Sequence, residues 1–281
     1  MANIINAIVN IISNPQIKLV QYAVSHNRAN NMGEALEEYV KDAFADTVGE
    51  KSEKIRLSKI SKAFSYLGNQ NNPPDSMLRD GDAIEVKKIE SNDSHLALNS
   101  SYPKAKLFAN SPMISKACRN CECWNTKDMI YAVGVVRGME LSSLAFVYGD
   151  DYCAESSTYE RIKSTIKMGV ESIPGVEFSA TKELGRINRV DPLGITYLRI
   201  RGMWGIENPF TTFNYIYKRD FTKSFNFMAV INSKKYYSFN NYEELEILEK
   251  NMELLKIEDV KIKNPNNPAL MTDAKLISFM V

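Results

Sequence analysis

Histidine is nearly absent: His26 and His95 are the only two in 281 residues. That speaks against chemistry built on a histidine cluster, including histidine-rich zinc sites and histidine-dependent nucleases. Cysteine is sparse as well, and four thiols without a leader pattern speak against a disulfide scaffold and for a reducing compartment. The apolar start is broken by Asn3, Asn6 and Asn10 and lacks both a basic segment and a small-residue cleavage site. No run approaches the roughly 18 apolar residues of a membrane span, so no membrane role is expected. Neither sign of charge dominates. With 35 basic and 34 acidic residues the net charge is +1, which excludes an arm that coats nucleic acid by bulk charge but leaves room for a local basic groove. Gly 13 and Pro 10 are too few for a collagenous or disordered chain.

What is present is an ordinary globular composition, 44% hydrophobic and 25% charged. The length suits one large domain or two small ones. Apolar residues recur at helical spacing over residues 4–12, 33–44, 158–170 and 242–255, and 113–124 reads as a further helix. Alternating runs mark strands over 64–89, with an Asn/Pro interruption at 69–74, and over 195–200. Residues 129–136 and 143–148 predict a hairpin around Gly138. Residues 225–231 and 235–239 predict a second strand pair, and short strands close the chain near Val260 and Leu276. Residues 91–110 read as a polar loop. There is no repeat and no linker, so the expectation is a single α/β (α+β) domain, 1–281, with a mixed central sheet flanked by helices.

The chemistry concentrates between Asn71 and Ile89. On a strand, residues two apart share a face. Glu85 and Lys87 therefore project together while Ile84 and Val86 enter the core. Arg79-Asp80-Gly81 resembles a three-residue hairpin loop with Gly81 in the left-handed position. Counting back from it pairs Leu78 with Asp82 and Asp75 with Glu85. Two carboxylates side by side repel unless a cation lies between them, and oxygen ligands around an open position suit Mg²⁺. A bare acid–x–lysine is common on exposed strands. The upstream Pro74-Asp75, the hairpin parity and the apolar alternate face set this one apart.

Pro74-Asp75 with Glu85-Val86-Lys87 resembles the PD-(D/E)xK nuclease signature. A wider set of segments is similar to the NgoPII family of type II restriction endonucleases: Arg28-Ala-Asn, Gly33-x-Ala-Leu-Glu-Glu-Tyr-Val-Lys-Asp, Phe64-Ser-Tyr-Leu-Gly-Asn, Gly81-Asp-Ala-Ile-Glu-Val-Lys-Lys-Ile-Glu-Ser, Leu98-Asn-Ser-Ser and residues 199–209. The resemblance implies a restriction-endonuclease-like core at about 27–150, with recognition and dimerisation elements within 95–125 and 180–281. It implies a Mg²⁺-dependent homodimer that cuts double-stranded DNA at GGCC in the cytoplasm of a prokaryotic cell, paired functionally with a cognate DNA methyltransferase. A repair or junction-resolving nuclease of the same superfamily, or an inactive DNA-binding module, are the rival readings. The space after the catalytic strand and the intact acid–acid–lysine set argue against them.

Phosphodiester chemistry assigns roles. Asp75, Glu85 and the Val86 carbonyl would hold the metal, and Lys87 would orient or deprotonate the attacking water. Gly33 and Glu37 match the Gly-x-x-x-Glu arrangement by which related nucleases add a helix glutamate, with Glu34 on a neighbouring face. Asn99, Ser100, Ser101 and Lys104 offer donors for phosphate contacts that set register. Residues 182–201 hold Lys182, Arg186, Arg189, Arg199 and Arg201 against Glu183 and Asp191. Arginine forks suit guanine O6 and N7, and Arg199 and Arg201 share a strand face; the alternative is an ion-pair network with those acids. Cys118, Cys121, Cys123 and Cys153 lack the paired hooks of a zinc site and read as buried thiols. The aromatics after residue 210 read as core and dimer interface.

Overall fold

In a computed structural model describing residues 2–19, 32–69, 72–181 and 183–281, a mixed sheet divides the molecule into two apolar layers. Arg28 and its neighbours in the family motif, His26, Asn71 and Lys182 lie outside the described residues. Helices α1 (Ile4–Ser13), α2 (Met32–Ala45) and α3 (Glu53–Ala63) lead into strands β1 (Phe64–Asn69), β2 (Asn72–Leu78) and β3 (Ala83–Ile89). The chain continues through β4 (Leu96–Asn99), β5 (Lys106–Phe108), a short helix α4 (Lys116–Asn120), β6 (Thr126–Arg137) and β7 (Glu140–Tyr148). Helix α5 (Ser156–Glu171) precedes β8 (Glu177–Phe178), β9 (Gly185–Asn188), β10 (Leu198–Ile200) and β11 (Trp204–Ile206). Strand β12 (Asn226–Asn232), helix α6 (Tyr242–Asn251) and the hairpin β13 (Leu255–Asn264)–β14 (Asn267–Met280) complete the chain.

Among the described residues the main sheet runs β1-β2-β3-β6-β7-β12-β14-β13, with β5 added beside β6. The β3–β6 and β7–β12 pairs are parallel and the others antiparallel. The expected mixed sheet flanked by helices is therefore the observed one. Alternation decides the layers. Ile84, Val86, Ile130 and Ala132 join α1 and α2 in one core, and Ala83, Ile89, Met129 and Val133 join the other. Helix α1 owes its end to Asn3, whose side chain and that of Asn6 cap each other's backbone N–H groups. A separate three-stranded sheet, β10-β9-β8, carries the arginine-rich segment, and β11 pairs with β4.

Several sequence expectations change. Pro73 and Pro74 lie inside β2 rather than interrupting strands, joined by a cis peptide bond. They fit because β2 is laddered to β3 only at Ser76 and Met77, so the prolines remove no N–H that β3 would use. The loop over 91–110 contains β4 and β5. The helix expected over 113–124 is confined to α4, capped by Ser115. The strand over 195–200 is confined to β10. Residues 233–236 form a helical turn capped by Asn232, so β12 pairs with β7 and β14 instead.

Candidate active site

The turn between β2 and β3 sets the register of the site. Asp80, not Gly81, takes the left-handed conformation there, at φ 53°. Gly81 answers a demand for space, since a Cβ on it would press to 3.0 Å from the Leu78 Cβ. Buried Lys127 ties the turn down by donating to the Leu78 and Gly81 carbonyls at 3.1 and 2.6 Å. Ser76 then pairs with Ile84 and Met77 with Ala83, which brings Asp75 opposite Glu85 one step on. There the ladder stops. Asp75 Oδ2 instead accepts the Val86 N–H at 2.6 Å. On its other side β1 crowds in: a Cβ on Gly68 would lie 2.3 Å from the Pro74 carbonyl oxygen and 2.7 Å from that of Asp75. The glycine is what lets β1 press this close to Asp75.

Lys87 stands between the two acids. Its Nζ is 2.6 Å from Glu85 Oε1 and 4.0 Å from Asp75 Oδ2. Burial and the facing Glu85 charge push the Asp75 carboxyl up to about 7, with Glu37 adding to the rise. Burial alone would pull the Lys87 amine down, but Glu85, Asp75 and Glu37 outweigh it and hold it above the ordinary lysine value. Burial raises the Glu37 carboxyl in turn, and both Lys87 and Glu85 act on it. The helix gets there by close packing. Leu36 seats against Gly134, where a Cβ would lie 2.6 Å from a leucine methyl, and Gly134 stands beside Lys88 in the β3–β6 register. Glu38 takes a structural role instead, pairing with Arg56 and Lys41.

A cleft of about 220 Å³ opens over Asp75, Glu85 and Lys87 and is closed on one side by Asn99, Ser100 and Ser101. Asn99 makes that wall turn by adopting a left-handed backbone (φ 53°), which asparagine tolerates better than most residues. Lys104 is placed differently from expectation. It lies on the expected loop but is half-buried beside Glu85, where burial pulls its amine below the usual lysine value. Two features of this arrangement were not anticipated from the sequence: the hydroxyl of Tyr131, which bonds the Lys104 backbone, and the close approach at Gly68. A tyrosine in an otherwise apolar strand and a glycine inside a strand pattern were the available signals.

The four arginines sit outside this cleft. Arg199 forks onto Glu183 with its Nε and one terminal nitrogen, at 2.9 and 2.6 Å, and Arg201 Nε adds a third bond at 2.5 Å. Arg186 lies 4.9 Å over the Tyr197 ring, and Arg189 approaches Glu177 at 3.6 Å. The shared strand face expected for Arg199 and Arg201 is thus turned to a shared acid.

The donor set fits a hard divalent cation. Two carboxylates face each other, and Glu85 Oε2 is buried without a hydrogen-bond partner. Mg²⁺ is satisfied by one or two carboxylates with waters and phosphate oxygens filling the rest. Among the described residues no three His, Cys, Asp or Glu side chains gather into a metal-holding group. Cys118 and Cys153 are buried and Cys123 is exposed.

Comparisons with known proteins agree along the whole chain. The model of the NgoPII restriction endonuclease family matches residues 2–263. The type II restriction enzyme NgoPII of Neisseria gonorrhoeae is 56% identical over 278 residues, spanning 99% of both chains. No solved structure matches.

Proposed function

The chain belongs to the NgoPII restriction endonuclease family and is a type II site-specific DNA endonuclease; from that premise we propose that it cuts double-stranded DNA at GGCC, as a homodimer, with Mg²⁺ at Asp75 and Glu85. The observation that carries the assignment of the site is the pair of facing carboxylates with Lys87 between them at the floor of a cleft. When bound, the metal supplies a Lewis acid for the scissile phosphate and lowers the pKa of a water. Asp75 and Glu85, with the Val86 carbonyl, would hold it. Glu37 contributes negative charge from α2. Lys87, kept cationic by the surrounding acids, orients the attacking water and offsets charge that builds on the phosphate. Asn99, Ser100 and Ser101 line the cleft where backbone phosphates would be held in register. A cognate methyltransferase that protects host sites, and a cytoplasmic location in a prokaryotic cell, belong to the same reading.

The test is plasmid digestion by Asp75→Ala, Glu85→Ala and Lys87→Ala. Each is expected to lose at least about a thousandfold in cleavage rate, while Lys87→Ala still binds the duplex the parent cuts. Any of the three cutting within about tenfold of the parent rate would remove that residue from the site. Sequencing the ends from the parent digest checks GGCC.

A further inference from the structure

Lys104 is held in place more firmly than a surface phosphate contact requires. Tyr131, which stands beside Glu85 in the β3–β6 register, is buried, and its hydroxyl accepts the Lys104 N–H at 2.7 Å and donates to the Lys104 carbonyl at 3.3 Å. Gly149 presses on the same backbone: a Cβ there would lie 2.3 Å from the Lys104 carbonyl oxygen and 2.6 Å from that of Ala105. Lys106 anchors the segment further on through Asp128 and Asp150, at 2.7 and 2.6 Å. So fixed, the Lys104 side chain lines a recess of about 20 Å³ together with Glu85, Ser101 and Tyr131. That volume admits about one water. Among the described residues the ammonium has no hydrogen-bond or ion-pair partner, and the Tyr102 ring lies 5.8 Å away. Across the same recess is Glu85, whose Oε2 is buried and also without a partner. A half-buried ammonium without a polar partner and a carboxylate whose Oε1 is taken by Lys87 but whose Oε2 is left over, lining one water-sized space, are the elements of a water-bridged pair.

We propose that Lys104 is a positioning residue for Glu85: through a single bridging water its ammonium holds one carboxylate oxygen and so fixes the aspect that Glu85 presents to the cleft. This rests on the reading of Asp75, Glu85 and Lys87 as the active site. Displacing a reacting group by about 1 Å can cost about a hundredfold in rate without weakening binding. The experiment compares Lys104→Met, which keeps length and loses charge, with Lys104→Arg, using the full-length protein and the duplex the parent cuts. Two quantities are read: the single-turnover cleavage rate at saturating enzyme in Mg²⁺, and duplex affinity in Ca²⁺. Lys104→Met is expected to cut about a hundredfold more slowly with affinity unchanged within about threefold, and Lys104→Arg to recover part of the rate. An unchanged saturated rate, or a loss of affinity shared by cut and uncut duplexes with the saturated rate intact, overturns the inference in favour of an ordinary phosphate contact. If Lys104→Met fails to fold, Tyr131→Phe carries the test. It frees the Lys104 backbone and should give the same split at about tenfold; parental cleavage by that variant overturns the inference too. Asp75→Ala and Glu85→Ala run beside them. Their loss of cleavage with Lys104→Met active sinks only this inference, whereas their full activity sinks the site beneath it.

Discussion

Asp75 is the residue at which the proposed catalytic role and stability conflict. Its carboxyl titrates at about 7 in the folded chain against 3.8 unperturbed, because burial and then Glu85 oppose its charge. The folded state therefore binds a proton that the unfolded state has released, and stability falls as pH rises through that window. Below about pH 4 both states are protonated and the conflict vanishes. Asp75→Asn keeps an acceptor for the Val86 N–H and removes the charge. In EDTA its thermal midpoint should exceed the parent's at pH 8, for a stability gain on the order of 1 kcal/mol, and the gain should shrink on acidification toward pH 4. A gain that is absent at pH 8, or that grows toward pH 4, contradicts this. A single residue is also where sequence reading was most exposed to error. The parity that put Asp75 opposite Glu85 is local and depends only on the turn, so it was legible. The depth of Lys104 was not, because it depends on Tyr131 and Gly149, residues distant in the chain whose partners no local pattern names.

At the level of elements, periodic segments were read well and context-dependent ones were not. α1, α2 and the β6–β7 hairpin carry their own apolar repeat and turn, and they appear where the pattern places them. β4 and β5 are only four and three residues long, and exist because β11 and β6 supply ladders from elsewhere. Residues 235–239, with Tyr236, Tyr237 and Phe239, have a strand-like composition, but the Asn232 cap commits 233–236 to a helical turn. The arginine-bearing sheet shows what this adds to function. β10 passes into β11 within a few residues, β11 pairs with β4, and Asn99 at the end of β4 walls the cleft. The arginines proposed to read bases and the wall of the proposed catalytic cleft thus share a short backbone path. Within that sheet Glu183 distinguishes two arginines that parity alone made equivalent. Arg199 spends its fork on Glu183, whereas Arg201 bonds through Nε only and, among the described residues, keeps both terminal nitrogens without a side-chain hydrogen bond. Arg201→Ala should therefore cost about 1–3 kcal/mol on the cognate duplex and relax discrimination at one base pair. Arg199→Ala should relax the same discrimination less, because it removes a strut beside Arg201 and not the contact itself. Binding to cognate and single-base-substituted duplexes decides between them, and discrimination left intact by Arg201→Ala would move that residue off the base edges.

For the whole molecule the decisive count is of catalytic clefts. Asp75, Glu85 and Lys87 come together at one cleft of the chain. A palindrome presents two scissile phosphates related by the dyad of the DNA, on strands of opposite polarity. A single cleft can serve both only by leaving one strand and rebinding the other, whereas a C₂ dimer places two identical clefts under the same symmetry. The homodimer is accordingly expected on cognate DNA, with light scattering giving twice the mass of the 31.9 kDa chain in the complex. Mass alone does not show that both clefts work at once, and a mixed dimer does. Lys87→Ala is expected to leave the duplex contacts in place, and it removes the ammonium held between Asp75 and Glu85. Tagged parent chains refolded with an excess of Lys87→Ala chains and purified through the tag are dimers with one working cleft. On a supercoiled plasmid carrying one site they should accumulate nicked circles, while parent dimers give linear DNA with little nicked intermediate. Linear product at the parental rate from the mixed dimers would mean that one cleft cuts both strands in turn, and the two-cleft arrangement would fall even if the dimer itself stands.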